Sequence, residues 1–331
     1  MKMRKIVCSF MISVVCFMTA ISGVSATSYD TSKINAAYSK VVEYYKNNNN
    51  LNNADKILAV ESLGLEAESN QFDTSSADLS STSLSKKIVT EVLLGVDPTE
   101  DKKTLESQID ENGNVEGSWG ASSDVWTLYA LYVTSSEKTN LIANKLNDEL
   151  AASSVCGYEW GGTYYADYDT TGWVIEGLAV VNKEKYATTI NKAIDYIKNN
   201  TTMTTTGWVT ADNVDTQSQV LEGMFAYDTN ALLNDSYTVH PVDCLLNTQL
   251  SDGSFPSGYN AEYTTAEVAK TLGTYKNGSV IIKAKKAYDK MMNPEQPDNT
   301  KPAQPTDTKK DSQSTNKVET TNQKTTSVKT G

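Results

Sequence analysis

A repeat of about 47 residues in the middle of the chain constrains the fold more than any other feature. Stretches that align on aromatic and small residues begin at spacings of 47, 46 and 48 residues; they read SSDVWTLYALYV from Ser122, DTTGWVIEGLAV from Asp169, DTQSQVLEGMFA from Asp215 and YTTAEVAKTLGT from Tyr263. In each, a small residue precedes a large apolar one at the same position, as close helix packing requires. Such self-similarity indicates one supersecondary unit repeated along the chain.

Each unit has the same predicted order of elements. A loop with glycine and an aromatic residue comes first, followed by a rather apolar helix, a turn and an amphipathic helix. In residues 184–200, apolar side chains recur at steps of three and four, which indicates a helix with one buried face. Inner helices are predicted to begin near residues 55, 82, 124, 169, 215 and 263. The sequence therefore predicts an all-α domain with about six inner and six outer helices.

The repeats resemble the prenyltransferase and squalene-cyclase (squalene-oxidase) repeats of terpenoid-cyclase-like proteins, in their exported bacterial form. The resemblance covers residues 30–292 and depends on the aromatic and glycine residues before each inner helix. It implies an α/α toroid, whereas the repeat length alone also suits an open solenoid of helical hairpins. It implies little about activity, because this shape is shared by triterpene cyclases, protein prenyltransferase β-subunits and cobalamin carriers.

Both ends of the chain differ in composition from its middle. Residues 1–26 have a basic start, an apolar run and small residues at the end, which predicts a secretory signal peptide. Residues 293–331 contain no aromatic residue and four of the seven prolines, which predicts a disordered linker or stalk. The folded domain is then residues 27–292. We expect a secreted or cell-surface protein with no stable membrane span in its mature chain.

The net charge of −12 argues against one class of partner. The 29 Lys and Arg residues are outnumbered by 41 Asp and Glu residues, and three of the basic residues lie in the predicted signal peptide. An acidic surface repels nucleic acid and anionic membranes. The partners that remain are a cell-wall or other extracellular glycan, a peptide or a protein.

Two aspartates precede the second apolar helix of the alignment. Residues 167–172 read DYDTTG, which resembles the D-x-D-D-T-A motif with which triterpene cyclases protonate an alkene, except that Thr170 replaces the last aspartate. The resemblance implies Asp167 and Asp169 as catalytic candidates. The alternative is that Asp169 caps its helix, because Asp is a favoured N-cap and Asp215 recurs one repeat later without such a motif.

Glu176 and Glu222 share one position of the repeat, directly before the small residue. A pair of carboxylates facing one lumen would be suited to acid–base work on a glycan. The neighbouring repeats carry Tyr129 and Lys270 at this position, so the repeats do not place an acidic residue there in every unit. A solvated helix face is the alternative.

The aromatic residues of the loops indicate binding rather than chemistry. Trp126 and Trp173 occupy repeated helical positions and are predicted to be core. The loops should converge on one mouth of the ring, where flat side chains either brace the repeat or contact a ligand. The candidate ligand-binding residues are Trp119, Trp160, Tyr164, Tyr165, Trp208, Phe255 and Tyr259.

Residues with metal-ligand character are few, since the chain has a single histidine. His240 and Cys244 have i,i+4 spacing, and Asp243 lies between them, so the three are the candidates for zinc. The repeat alignment places these residues on an outer helix. Zinc or cobalamin is suggested only by family analogy, so no cofactor is predicted. Cys156 and Cys244 form either one disulfide or two thiols.

The sequence favours an exported, surface-associated binding or scaffold module over an enzyme. The alternative is an enzyme of the toroid class, either a degenerate terpene cyclase that uses Asp169 or a glycan-cleaving enzyme that uses Glu176 and Glu222. An enzyme should bring carboxylates together in a deep cavity, and a scaffold should use Asp169 on backbone amides.

Overall fold

The structure is a computed structural model that describes residues 29–68, 80–207 and 213–294. The predicted signal peptide, nearly all of the predicted tail, and Trp208 lie outside the described residues. The described part is mostly helical, as predicted, with one two-stranded sheet.

The elements follow one another along the chain with short connections. In order, they are α1 (Thr31–Asn47), α2 (Ala54–Ser62), α3 (Ser81–Leu93), α4 (Thr99–Ser107), α5 (Ala121–Val133), α6 (Thr139–Ser153), β1 (Gly157–Trp160), β2 (Thr163–Ala166), α7 (Tyr168–Asn200), α8 (Met203–Thr206), α9 (Val214–Asn234), α10 (Pro241–Leu246), α11 (Ala261–Asn277) and α12 (Val280–Met292).

Helices begin within three residues of all six predicted inner starts. We call these the core helices: α2, α3, α5, α7, α9 and α11. Nearly every side chain of α5 is buried, whereas α12 buries only Val280, Ile281 and Ala284 among its thirteen residues. A helix that is buried all round packs on several neighbours, and a helix with one apolar stripe covers the outside. α5 and α12 therefore differ in the way predicted for an inner and an outer helix.

Consecutive core helices pack against each other along the chain. α2 contacts α3, α3 contacts α5, α5 contacts α7, α7 contacts α9, and α9 contacts α11. The last core helix also packs on the first, because α11 contacts α2. α4 packs on α3, α6 packs on α5 and α7, and α1 packs on α11, while α12 lies against α3 and α5.

Glycines allow the tightest of these contacts. A Cβ atom on Gly223 of α9 would overlap the backbone carbonyl of Gly172 on α7, and a Cβ on Gly273 of α11 would overlap Ser62 of α2. At Gly223, the small residue of the repeat is thus a point at which two core helices approach backbone to backbone.

The turns that should separate inner from outer helices in two repeats are kinks within one helix. Asn182 in α7 (φ −164°, ψ 90°) and Asp228 in α9 (φ −156°, ψ 92°) leave the helical conformation. Each side chain then accepts a hydrogen bond from a backbone N–H three residues later, at Lys185 (3.0 Å) and Ala231 (2.9 Å). Both residues therefore act as N-caps for the helical segment that follows them.

A short hairpin lies where the sequence predicted a loop. Strands β1 and β2 pair antiparallel from Gly157 opposite Ala166 to Trp160 opposite Thr163. Gly161 and Gly162 between them have φ of 60° and 78°, and positive φ at both central residues is what a two-residue type I′ hairpin turn requires. The same stretch contains no disulfide, since Cys156 is a buried thiol that is not joined to Cys244.

Within the described ranges, no helix combines the length and the apolar character needed to cross a bilayer.

Candidate functional site

Four core helices, α2, α7, α9 and α11, begin with an Asp or Asn cap. Asp167, Asn213 and Asn260 precede α7, α9 and α11, and each side chain accepts a hydrogen bond from a backbone N–H of the first turn. The Asp167 carboxylate receives the N–H of Thr170 (3.1 Å) and its hydroxyl (2.7 Å). The interpretation of Asp169 as the N-cap is therefore wrong, because the cap is Asp167, two residues earlier.

Asp169 belongs to a different set, the acids in the first turns of core helices. The set also includes Asp55 of α2, Asp124 of α5, Asp215 of α9 and Glu262 of α11. An acid at this position interacts favourably with the positive end of the helix dipole.

Three of these five acids are neutralised by lysine. Asp55 pairs with Lys86 (2.8 Å), Asp124 with Lys145 (2.8 Å) and Glu262 with Lys56 (2.9 Å). Within the described residues, Asp169 and Asp215 have no such ion pair.

Asp169 and Asp215 line one cavity of about 550 Å³ at the N-terminal ends of α7 and α9, beside the loop before α11. Asp167 also lines it, as do the side chains of Trp173, Gln219 and Tyr263. The exposed ring of Tyr259 stands at its edge and also borders a smaller cavity of about 220 Å³ beside Lys56. The volume of the larger cavity suits a small organic ligand.

The surroundings of Asp169 favour its protonated form. Burial raises the pKa of this carboxyl to about 6, a hydrogen bond with Thr216 opposes the rise, and the charges of Asp167 and Asp215 add to it. Burial likewise raises the pKa of Asp215. Two of the carboxyl groups that line this cavity are thus disfavoured in their charged form.

We expect Asp169→Asn to stabilise the fold at pH 7 by about 1–3 kcal/mol, because the folded protein no longer holds a partly buried charge. The pKa of Asp169 is about 6 when folded, against 3.8 as the ordinary value. The advantage of the variant should therefore be absent below about pH 4, grow between pH 4 and pH 6, and remain constant above. Urea unfolding across this pH range measures it, with the exposed Asp148→Asn as control. A pH-independent difference between Asp169→Asn and the wild type would contradict the assignment.

A second group of polar side chains lies deeper, in the middle of the core helices. Glu176 is 3% exposed and Glu222 is 1% exposed, so the alternative of a solvated helix face is wrong for both. Tyr129 lies with its hydroxyl 2.9 Å from Glu176 Oε2, and Lys270 Nζ is 3.9 Å from Glu222 Oε2. Tyr129, Glu176, Glu222 and Lys270 share one position of the repeat. Each of them therefore contacts a residue of a neighbouring repeat.

Glu267 and Gln219 complete this buried cluster. Lys270 Nζ is 3.0 Å from Glu267 Oε2, and Gln219 Nε2 donates to the same oxygen at 3.3 Å. Thr274 donates to Glu222 Oε1 at 3.3 Å. Gln219 also lines the cavity, so it connects the cavity to the buried cluster.

The buried cluster contains three glutamates and one lysine. Burial raises the pKa of Glu176 and raises that of Glu222 well above its ordinary value, while the charge of Lys270 opposes both shifts. Burial alone would lower the pKa of Lys270, but the charges of Glu267 and Glu222 outweigh it and raise that pKa. One cation therefore stabilises several buried carboxyl groups.

The predicted ligand-binding aromatics fall into three groups. Trp119 and Tyr259 are about nine-tenths exposed, and Tyr164 and Tyr165 of the hairpin are nearly half exposed. Phe255 is fully buried, so its ring offers no surface to a ligand and fills the core. The Trp160 side chain and all of Trp208 lie outside what the structure describes. Tyr259 alone of the exposed group borders the cavity.

The two helical tryptophans differ from each other. Trp126 is 3% exposed, as predicted for core, and packs 6.0 Å from Trp173 between ring centroids. Lys86 and Lys270 lie over the Trp126 ring at 4.6 and 5.5 Å. Trp173 is only partly buried and forms part of the cavity wall, with Nε1 lacking a hydrogen-bond partner among the described residues.

His240, Asp243 and Cys244 lie at the start of α10. His240 Nδ1 accepts from the backbone N–H of Val242 (3.2 Å), and its ring packs against Tyr29 and Tyr237. Asp243 Oδ1 accepts from the Tyr29 hydroxyl (2.7 Å) and from Lys33 (3.0 Å). In the described part of the chain, no group of three or more His, Cys, Asp or Glu side chains is placed to hold a metal ion.

Gln219 and Glu267 are the functional candidates that sequence reasoning missed. Both occupy the repeat position of Trp126 and Trp173. A polar residue at an otherwise aromatic inner position indicates a buried polar contact, so the aligned repeats do contain the signal.

Comparison of the chain with protein-family models, with curated proteins and with solved structures finds no match in any of the three.

Proposed function

We propose that the chain is an exported, cell-surface-associated binding module built on an α/α toroid, as the resemblance of its repeats to terpenoid-cyclase-like proteins suggests. The toroid is supported by the order of helix contacts, because each core helix packs on the next and α11 returns to α2. Export and surface association are supported by the composition of residues 1–26 and 293–331.

The cavity of about 550 Å³ is the observation that carries the binding function. It lies at the N-terminal ends of neighbouring core helices, and its wall includes polar atoms of Gln219, Trp173 and Asp215 that lack partners within the described residues. Buried polar groups in folded proteins are normally paired, so atoms left unpaired in a concave site indicate a ligand or bound water.

Binding is favoured over catalysis by the positions of the candidate acids. The Asp167 carboxylate caps α7, and Glu176 and Glu222 are enclosed among the core helices, where a substrate does not reach them. No histidine or cysteine lines the cavity among the described residues. A Ser–His or Cys–His pair is therefore absent from the described part of this wall.

The test uses thermal unfolding, since a ligand that binds only the folded state raises the melting temperature. The probes are cell-wall glycan fragments, short peptides, cobalamin and isoprenoids. Gly258 lies in the cavity wall, and a Cβ there meets no atom within 4 Å, so Gly258→Trp should fill the cavity without disturbing the fold. The matched control is Thr188→Trp on the exposed side of α7.

We expect at least one probe to raise the melting temperature of the wild type and of Thr188→Trp. The same probe should leave the melting temperature of Gly258→Trp unchanged. A shift that survives in Gly258→Trp would place binding elsewhere. If no probe raises the melting temperature of the wild type, the binding function is contradicted. The function left is that of a scaffold that contacts other proteins.

Acid catalysis by Asp169 is the second candidate. One observation favours it, because a carboxyl with a pKa of about 6 in a cavity can donate a proton near neutral pH. Chromatography of each bound probe after incubation separates the two functions. A product that forms with the wild type but not with Asp169→Asn, while the variant still binds the probe, would establish the enzyme.

A further inference from the structure

The cavity carries more negative charge than its surroundings neutralise. Asp167, Asp169 and Asp215 line it, and no lysine is among its described lining residues. The paired acids of α2, α5 and α11 show that a lysine accompanies acids in the first turns of other core helices.

Helix dipoles do not remove this excess. Each N-terminus contributes about +0.5 of an elementary charge at most, so the ends of α7, α9 and α11 together supply about +1.5. Three carboxylates exceed that sum by more than one charge. The backbone therefore weakens the negative field of the cavity without reversing its sign.

A second, independent observation comes from Gln219, which is 1% exposed and forms part of the cavity wall. Its Nε2 donates to Glu267 Oε2 and to the Tyr263 hydroxyl, both at 3.3 Å. The contact with a carboxylate fixes which end of the amide is nitrogen, because a carboxylate only accepts. Oε1 is then a buried acceptor without a partner among the described residues.

Asp215 provides a second acceptor of the same kind, since its Oδ1 is buried and lacks a partner among the described residues. The unpaired atoms of the wall are thus mostly acceptors, and they are suited to a ligand that donates hydrogen bonds. The aromatic rings of Trp173, Tyr259 and Tyr263 also line the cavity. Ring faces attract cations, and an ammonium group donates three hydrogen bonds.

We propose that this cavity binds an organic cation through a primary ammonium group held by Asp169, Asp215 and Gln219. The inference rests on the proposed binding function and names its ligand class. The ammonium supplies the charge that lysine supplies to the acids of the other core helices, and the rest of the ligand lies against the aromatic wall. An amino sugar, a polyamine and a lysyl peptide all present this group.

The experiment compares matched probes that differ in charge. Glucosamine disaccharide and its N,N′-diacetylated form share one skeleton, but only the first carries ammonium groups. Spermidine and trilysine test the other two sources of the same group. Binding of each to the full chain is measured by calorimetry at low and physiological salt, with the wild type, Asp215→Asn, Asp169→Asn, Gly258→Trp and the exposed control Asp148→Asn.

We expect one of the three amines to bind at least tenfold more tightly than the acetylated disaccharide. Its dissociation constant should rise at least tenfold in Asp215→Asn and in Asp169→Asn, and should stay unchanged in Asp148→Asn. Added salt should weaken binding, because screening reduces attraction between charges. Circular dichroism of each variant alone checks that the loss of binding is not a loss of fold.

Two results would overturn the inference in different ways. If the acetylated disaccharide binds as tightly as the amine and Gly258→Trp abolishes both, the cavity is a binding site for a neutral ligand and the cation is excluded. If no amine binds, or amines bind equally to Gly258→Trp, the cation is excluded, and thermal unfolding with glycans, peptides, cobalamin and isoprenoids then decides the binding function by itself.

Discussion

Replacing Lys270 by methionine should destabilise the fold by about 3–5 kcal/mol, because removal of one partner leaves buried charges uncompensated. Lys270 is 3% exposed and is the cation nearest to Glu267 and Glu222, at 3.0 and 3.9 Å. Methionine has about the volume of the lysine side chain. The loss of stability therefore reflects the missing charge more than a change in packing. Urea unfolding at pH 7 measures the difference.

The pH dependence of this variant gives a further check. The pKa of Glu222 is already raised by burial, and loss of the lysine should raise it more. A group whose folded pKa is raised favours the folded state as pH falls toward the unfolded value, so Lys270→Met should regain stability between pH 7 and pH 5.

Two further variants separate the loss of the buried cation from the loss of a lysine in general. Lys276→Met changes an exposed lysine of the same helix and should stay within about 0.5 kcal/mol of the wild type. Glu267→Gln added to Lys270→Met should recover part of the loss, because it removes one of the uncompensated charges. Equal stability of Lys270→Met and Lys276→Met would refute the role of the buried cluster.

A single methyl group at Gly223 should destabilise the protein by about 2–3 kcal/mol, the upper part of the range for overpacked cores. The added Cβ would overlap the backbone carbonyl of Gly172, and backbone atoms of two packed helices cannot rotate away as a side chain does. The loss should occur although alanine is the better helix former by about 1 kcal/mol. Thermal unfolding followed by circular dichroism measures it.

Gly177→Ala is the matched control, one repeat earlier at the equivalent position. Its Cβ would meet the ends of the Leu128 and Val125 side chains at 3.2 Å, and both can shift slightly. We expect a small change of either sign, so that the two alanine variants differ clearly. A Gly223→Ala protein as stable as Gly177→Ala would show that α7 and α9 are not in the close contact described.

Much of the helical organisation could be predicted from the sequence because the signals are local. Apolar residues at steps of three and four, together with Asp or Asn before each repeat, place the starts of α7, α9 and α11 within a few residues. The hairpin at residues 157–166 was missed because its two-glycine turn joins strands of four residues, too short for a clear alternating pattern.

The candidate site was predictable only in part. The sequence identified Asp169, Glu176 and Glu222 as residues of interest, yet it predicted the wrong role for Asp169 as a cap and left open a solvated face for the two glutamates. An N-cap and an acid of the first helical turn lie two positions apart in the sequence. Both positions favour aspartate, so residue type alone does not distinguish them.

The sequence by itself determined where the helices lie and which positions repeat, since both follow from patterns within about fifty residues of chain. Only the tertiary structure decided that Gln219 and Glu267 join Glu222 and Lys270, and that Asp169 and Asp215 share a cavity without a lysine among its described lining residues. The physical reason is that these contacts form mainly between side chains of different helices, and no local pattern specifies how those helices approach one another. Burial and the distance to the nearest opposite charge, which set the cost of each carboxylate, exist only once the helices are packed.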